Sequence, residues 1–145
     1  MRLHNVDVLA PKDIAPAFRA AATERSDAVL MNVSGALMNV SRKEIVELAG
    51  KSRLPVIYER VAEVEAGGLM SYGVSETDLR RRAAIYVDKI LKGAKPADLL
   101  VEQPKKFEFI INLKAAKQIG LTIPPNVLVR ADKVIKERRQ EAGGR

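Results

Sequence analysis

A chain of 145 residues, 47% apolar and 30% charged, has the size and composition of one globular domain, which excludes a disordered chain. The 25 basic residues outnumber 18 acidic ones for a net charge of +7, yet aromatics are 4% with no tryptophan, which argues against a base-stacking nucleic-acid platform and for a basic solvated exterior. Cysteine is absent and His4 is the sole histidine, so disulfides, thiolate nucleophiles, His-based triads and multi-histidine metal sites cannot be assembled within one chain.

The residues behind Met1 carry a charge but no apolar core, so no signal peptide is expected there. From Leu3 to Leu9 apolar and polar residues alternate, the period of a strand. Pro11-Lys12-Asp13 opens a helix whose apolar face uses Ile14, Phe18, Ala21 and Ala22, with Asp13 as N-cap and Pro16 in the first turn. Asp27 to Val33 encloses a short apolar run typical of a buried parallel strand. Ser41-Arg42-Lys43-Glu44 has the spacing of a capping box and predicts a helix start, continued by Ile45, Val46, Leu48 and Ala49. Leu54 to Tyr58 predicts a third strand, with Pro55 near its start. Leu69 to Tyr72 predicts a fourth, behind Gly67-Gly68.

Ser75-Glu76-Thr77-Asp78 begins a long helix that ends at Gly93. Its Leu79, Ala83, Tyr86, Val87, Ile90 and Leu91 form one apolar stripe. Phe107 to Asn112 reads as a fifth strand, and Leu113 to Ile119 as a short helix stopped by Gly120. Pro124-Pro125 starts a last amphipathic helix carrying Val127, Leu128, Ala131, Val134 and Ile135. Residues 1–140 are expected to form a single α/β domain and 141–145 a disordered tail. The alternation of elements predicts three layers, a parallel sheet with helices on both faces.

Neither a G-x-G-x-x-G after the first strand nor a G-x-x-x-x-G-K-[ST] occurs, so the common nucleotide fingerprints are missing. Glu63 and Glu65 read as two solvated loop glutamates, and Arg80-Arg81-Arg82 as a solvated helix face pointing in three directions. Met31-Asn32-Val33-Ser34 recurs as Met38-Asn39-Val40-Ser41, but the N-x-S pattern in both copies is too common to argue glycosylation. With no convergent acid–base or nucleophile set, neither enzymatic activity nor a cofactor or metal is expected. The informative feature is positional, because open α/β sheets bind ligands outside the carboxyl ends of their strands. Those ends carry Asn32, Ser34 and Gly35, then Tyr58 and Glu59, then Ser71, Tyr72 and Gly73. Such residues suit a small polar or aromatic ligand, and they equally suit the turns that end strands in any α/β domain.

Three blocks carry a resemblance. Glu65-Ala-Gly-Gly-Leu-Met-Ser-Tyr-Gly73, the run from Arg82 through Tyr86-Val87-Asp88-Lys89-Ile90-Leu91 to Asp98, and the run from Glu102 through Phe107-Glu-Phe-Ile-Ile-Asn112 to Pro125 follow in order. They resemble the C-terminal part of bacterial ABC-transporter substrate-binding proteins of the tryptophan/tyrosine type, and residues 1–63 fit the preceding part more loosely. The resemblance implies two α/β lobes of the type I periplasmic-binding-protein fold closing on a ligand by a hinge. On that resemblance, the N-terminal lobe, the secretion signal and the first strand of the second lobe are expected to have no counterpart in this chain. It also implies a periplasmic solute-binding component of an ABC importer, partnered by its permease. Relatives usually carry an Asp- and Pro-containing turn after the second strand; this chain reads Asn32-Val33-Ser34-Gly35-Ala36-Leu37 there, whereas Tyr72-Gly73 is retained.

Joined to strand-end position, the resemblance makes Asn32, Ser34, Gly35, Tyr58, Glu59, Ser71 and Tyr72 one wall of a cleft. Its expected occupant is a small organic solute such as an aromatic amino acid or related acid. The alternative reading is a non-catalytic homodimeric interaction module derived from that fold. A homodimer is expected under either, because the helix stripe at Tyr86 and Val87 lacks the opposite lobe.

Overall fold

The computed structural model describes residues 2–33 and 35–136. The order is α1 (Ile14–Thr23), β1 (Val29–Leu30), α2 (Gly35–Lys51), β2 (Val56–Tyr58), α3 (Val61–Glu65), β3 (Met70–Val74) and α4 (Glu76–Leu91). Then come β4 (Phe107–Asn112), α5 (Leu113–Gln118), α6 (Pro125–Leu128) and β5 (Lys133–Ile135). Ser34 and the expected tail at 141–145 lie outside the described residues.

The strands form one sheet in the order β1-β2-β3-β4-β5. Register puts Val56 and Tyr58 on one face, against a core of Ile14, Phe18, Leu37, Met38 and Ile45 from α1 and α2. Met70 and Ile111 point the other way, into a second core with Ala115, Ala116 and Ile123. The three-layer α/β class therefore holds.

The sheet itself is mixed, where a parallel one was expected: β3 and β4 run antiparallel. After Val74 the chain turns at Ser75 into α4 and returns beside its exit point, where the Ser75 N–H donates to the Lys106 carbonyl at 3.0 Å. A chain that re-enters a sheet at the end it left runs antiparallel to the strand it left.

Other boundaries differ for similar reasons. Leu3–Leu9 forms no strand; Leu3 and Leu9 stay exposed, and Val8 alone of this run packs on the first core. Alternation supplies a face, but a strand also needs a neighbour's hydrogen bonds, and β1 has no partner on its outer edge among the described residues. Helix α2 starts at Gly35 and not at Ser41, because Leu37, Met38, Ser41, Ile45 and Ala49 form one buried stripe at helical spacing. Asp13 does not cap α1 with its side chain; its Oδ2 instead accepts from the Leu9 and Ala10 N–H groups. The last expected helix stops at Leu128. Asp132 then clamps Phe109, its N–H donating to the Phe109 carbonyl and its Oδ2 accepting from the Phe109 N–H, both at 2.8 Å. That clamp lays Lys133–Ile135 along β4 as β5.

Helix α4 is as long as the sequence indicates, and it contributes no buried residue. One flank is covered by the returning chain, where the Tyr86 hydroxyl donates to the Leu100 carbonyl and Arg82 pairs with Glu102. Ile85, Val87 and Leu91 remain exposed.

Candidate functional site

Strand parity sorts the expected wall residues. Asn32 after β1, Gly35 at the start of α2 and Glu59 after β2 are exposed at the carboxyl ends of the strands. Tyr72 on β3 is 57% exposed, its ring stacked on Phe107 at 5.7 Å and edge-on to Phe109 at 6.3 Å. Tyr58 and Ser71 face the opposite side of the sheet and are 1% and 2% exposed, so they stand behind this edge and not on it. Ser34 lies outside the described residues.

Gly73 joins two of the strand ends. A Cβ built there would stand 1.8 Å from the Glu59 carbonyl oxygen, so only glycine lets β3 lie this close to the exit of β2. Two residues on, the Ser75 hydroxyl donates to Glu108 Oε1 at 2.8 Å and accepts from the Asp78 N–H, capping α4 and tying the exit of β3 to β4.

The strongest electrostatic feature was not legible in the sequence. Arg60 follows Glu59, and a Cβ on Gly35 would lie 3.7 Å from its Nη1, which puts the guanidinium beside the first residue of α2. Arg60 Nη2 and Arg42 Nη2 both donate to Asn39 Oδ1, at 2.9 and 3.0 Å. Beneath them Glu63, 1% exposed, accepts from Arg42 Nε at 3.1 Å and lies 3.9 Å from Arg60 Nη2. Glu63 is therefore a buried anchor for two arginines and not a solvated loop glutamate. The one local hint was its spacing of three from Arg60. Glu76 Oε1 also lies 3.6 Å from Arg60 Nε, so the guanidinium is shared between two carboxylates beside the N-terminus of a 17-residue helix, whose own dipole favours an anionic group.

Burial, and secondarily the Glu63 carboxylate, push the Tyr58 phenol well above its ordinary 10.0. The phenol stays neutral while an unfolded chain would ionise near pH 10, so the native state holds more protons above that pH. Stability should fall as pH rises past 10, by up to about 1.4 kcal/mol per unit from this residue. Urea unfolding of wild type and Tyr58→Phe between pH 9 and 11 should show that slope in the wild type alone, beyond what the other tyrosines contribute to both.

Among the described residues no group of three or more His, Asp or Glu side chains could hold a metal, and no helix is long and apolar enough to cross a membrane. Residues 1–135 match the family described as ABC transporter substrate binding protein. The chain belongs to that family. Among solved structures, this family member is similar to the ABC domain of Streptococcus pneumoniae in complex with L-Trp, at 30% identity and a TM-score of 0.79 over 91% of this chain and 44% of that one. A conserved domain protein from Vibrio cholerae O1 biovar El Tor is similar at 30% identity and a TM-score of 0.77, over 89% and 43%. A ligand-free, open substrate-binding protein with adhesive properties from Clostridium difficile, at 19% identity and a TM-score of 0.60 over 89% and 42%, shares the fold. The chain thus spans less than half the length of each of these structures. No curated protein matches it.

Proposed function

We propose that this chain is the C-terminal lobe of a two-lobed, tryptophan/tyrosine-type receptor that presents one wall of a solute cleft to an ABC importer. It would work outside the cytoplasmic membrane, in the periplasm, and hand its solute to the cognate permease. The observation that carries the reading is the Arg60 guanidinium beside the start of α2, with Asn32 and Glu59 exposed at the same sheet edge. An amino acid fits this set: its carboxylate on Arg60 and the α2 N-terminus, its ammonium on Glu59. Tyr72, one strand over and stacked on Phe107, offers aromatic surface to the side chain. Membership of the substrate-binding family and the L-Trp complex of the Streptococcus pneumoniae relative support an aromatic amino acid or related acid. Tyr58 and Ser71 hold this edge from behind.

Small-molecule sites bury about 70–90% of their ligand, and a single lobe covers about half. Calorimetric titration of this chain with L-Trp should therefore show nothing tighter than about 1 mM, with Arg60→Ala weaker still by about tenfold. Micromolar affinity, or an unaffected Arg60→Ala, contradicts the proposal.

A second reading, the homodimeric module, draws on α4. Its Ile85, Val87 and Leu91 are 49%, 55% and 81% exposed, and the neighbouring Leu100 and Val101 are 80% and 99%. Apolar surface of this extent usually marks an interface. Sedimentation at micromolar concentration should give a dimer that Val87→Glu dissociates, and a monomer at all concentrations removes this reading.

A further inference from the structure

The arginine at the strand-end wall has three side-chain nitrogens in three different surroundings. Nη2 donates to Asn39 Oδ1 at 2.9 Å and lies 3.9 Å from Glu63 Oε1. Nε is buried without a hydrogen-bond partner among the described residues, and Glu76 Oε1 stands 3.6 Å from it. Nη1 lies on the α2 side, 3.7 Å from where a Gly35 Cβ would be. Glu76 thus closes one side of the guanidinium and leaves the side next to α2 for a solute carboxylate.

The two carboxylates beside Arg60 are not equivalent. Glu63 is buried and held by Arg42 Nε at 3.1 Å, so its charge is compensated from beneath. Glu76 is half-exposed, and its second oxygen accepts from the exposed Arg80 Nη2 at 3.1 Å. It opens α4 just past the end of β3, and β2 and β3 are parallel, so Glu76 and Glu59 share one edge of the sheet. Gly73, three residues before Glu76, abuts the Glu59 carbonyl.

This placement ranks solutes by charge. A carboxylate arriving at Nη1 comes within a guanidinium's width of Glu76, a like charge that a simple acid meets uncompensated. An α-amino acid carries an ammonium on the carbon next to its carboxylate, so it brings a cation to Glu59 and Glu76 as its anion reaches Arg60. Selectivity of this kind comes from the repulsive group as much as from the attractive one.

We propose that Glu76 is a specificity-determining residue, one that makes this wall accept zwitterionic amino acids and disfavour simple carboxylic acids; the proposal rests on the strand-end wall being the solute site. The probes are L-Trp and indole-3-propionate, which is the same molecule without the ammonium. Titrations of the whole chain followed by amide NMR at Glu59, Arg60 and Tyr72 should show the wild type favouring L-Trp by about fivefold, the scale of one half-exposed charge. Glu76→Gln should bring the two ligands to within about twofold of each other, and Glu76→Asp, which keeps the charge, should retain the preference.

Equal binding of the two ligands by the wild type overturns the proposal without recourse to any variant. So does a preference for L-Trp that Glu76→Gln leaves intact. In both cases shifts at the strand ends leave the solute wall itself standing. Absence of strand-end shifts with either ligand overturns the wall and this proposal together.

Discussion

Gly73→Ala is expected to destabilise the chain by more than about 4 kcal/mol, enough to leave it unfolded or aggregated at 37 °C. The new Cβ would stand 1.8 Å from the Glu59 carbonyl oxygen and 2.9 Å from its carbon. Both atoms are backbone, so no side chain can swing aside. Relief requires β3 to move away from the exit of β2, and that breaks the parallel ladder pairing Ile57 with Met70 and Tyr58 with Ser71. Gly50→Ala serves as the control: it sits in α2 with nothing within 4 Å of an added Cβ, and should gain up to about 1 kcal/mol from helix propensity. Thermal melts of the two variants decide this, and a Gly73→Ala melting temperature near wild type contradicts the close approach.

The second large effect is expected at the buried carboxylate. Arg42→Ala should cost about 2–3 kcal/mol, because it leaves Glu63 at 1% exposure with only Arg60, 3.9 Å away, to balance its charge. Arg42 is itself 29% exposed, which keeps the figure below that of a fully buried pair. Replacing Glu63 by Leu in the Arg42→Ala background should recover most of the loss, since the stranded charge is then gone. Urea titrations measure all three variants. A loss under about 0.5 kcal/mol for Arg42→Ala would mean the pair behaves as a surface bridge.

What could be read from the sequence was what neighbours along the chain decide. Helix α4 was legible because Ser75 caps it through the Asp78 N–H and Gly93 ends it at a φ of 100°. Helix α5 was legible because Asn112 accepts from the Lys114 and Ala115 N–H groups and Gly120 follows at a φ of 75°. Interactions across space were not legible. Strand β5 depends on the Asp132 clamp to Phe109, 23 residues away. The run from Leu3 to Leu9 has a strand's pattern, but only a neighbouring strand could have made it one. At the site, one-residue parity within β2 and β3 separates Tyr58 and Ser71 from Tyr72, and a strand-end reading does not see it. Arg60 escaped notice because its weight comes from Gly35 and Asn39, which are distant in sequence.

The strand ends around Arg60 are proposed to form one half of a solute cleft. Mapping amide shifts while L-Trp is titrated into the chain tests it most directly. Fast-exchange shifts are expected that saturate only at about millimolar L-Trp, centred on Asn32, Gly35, Glu59, Arg60 and Tyr72. Shifts centred elsewhere, or no shift at all up to the solubility limit of L-Trp, would contradict it.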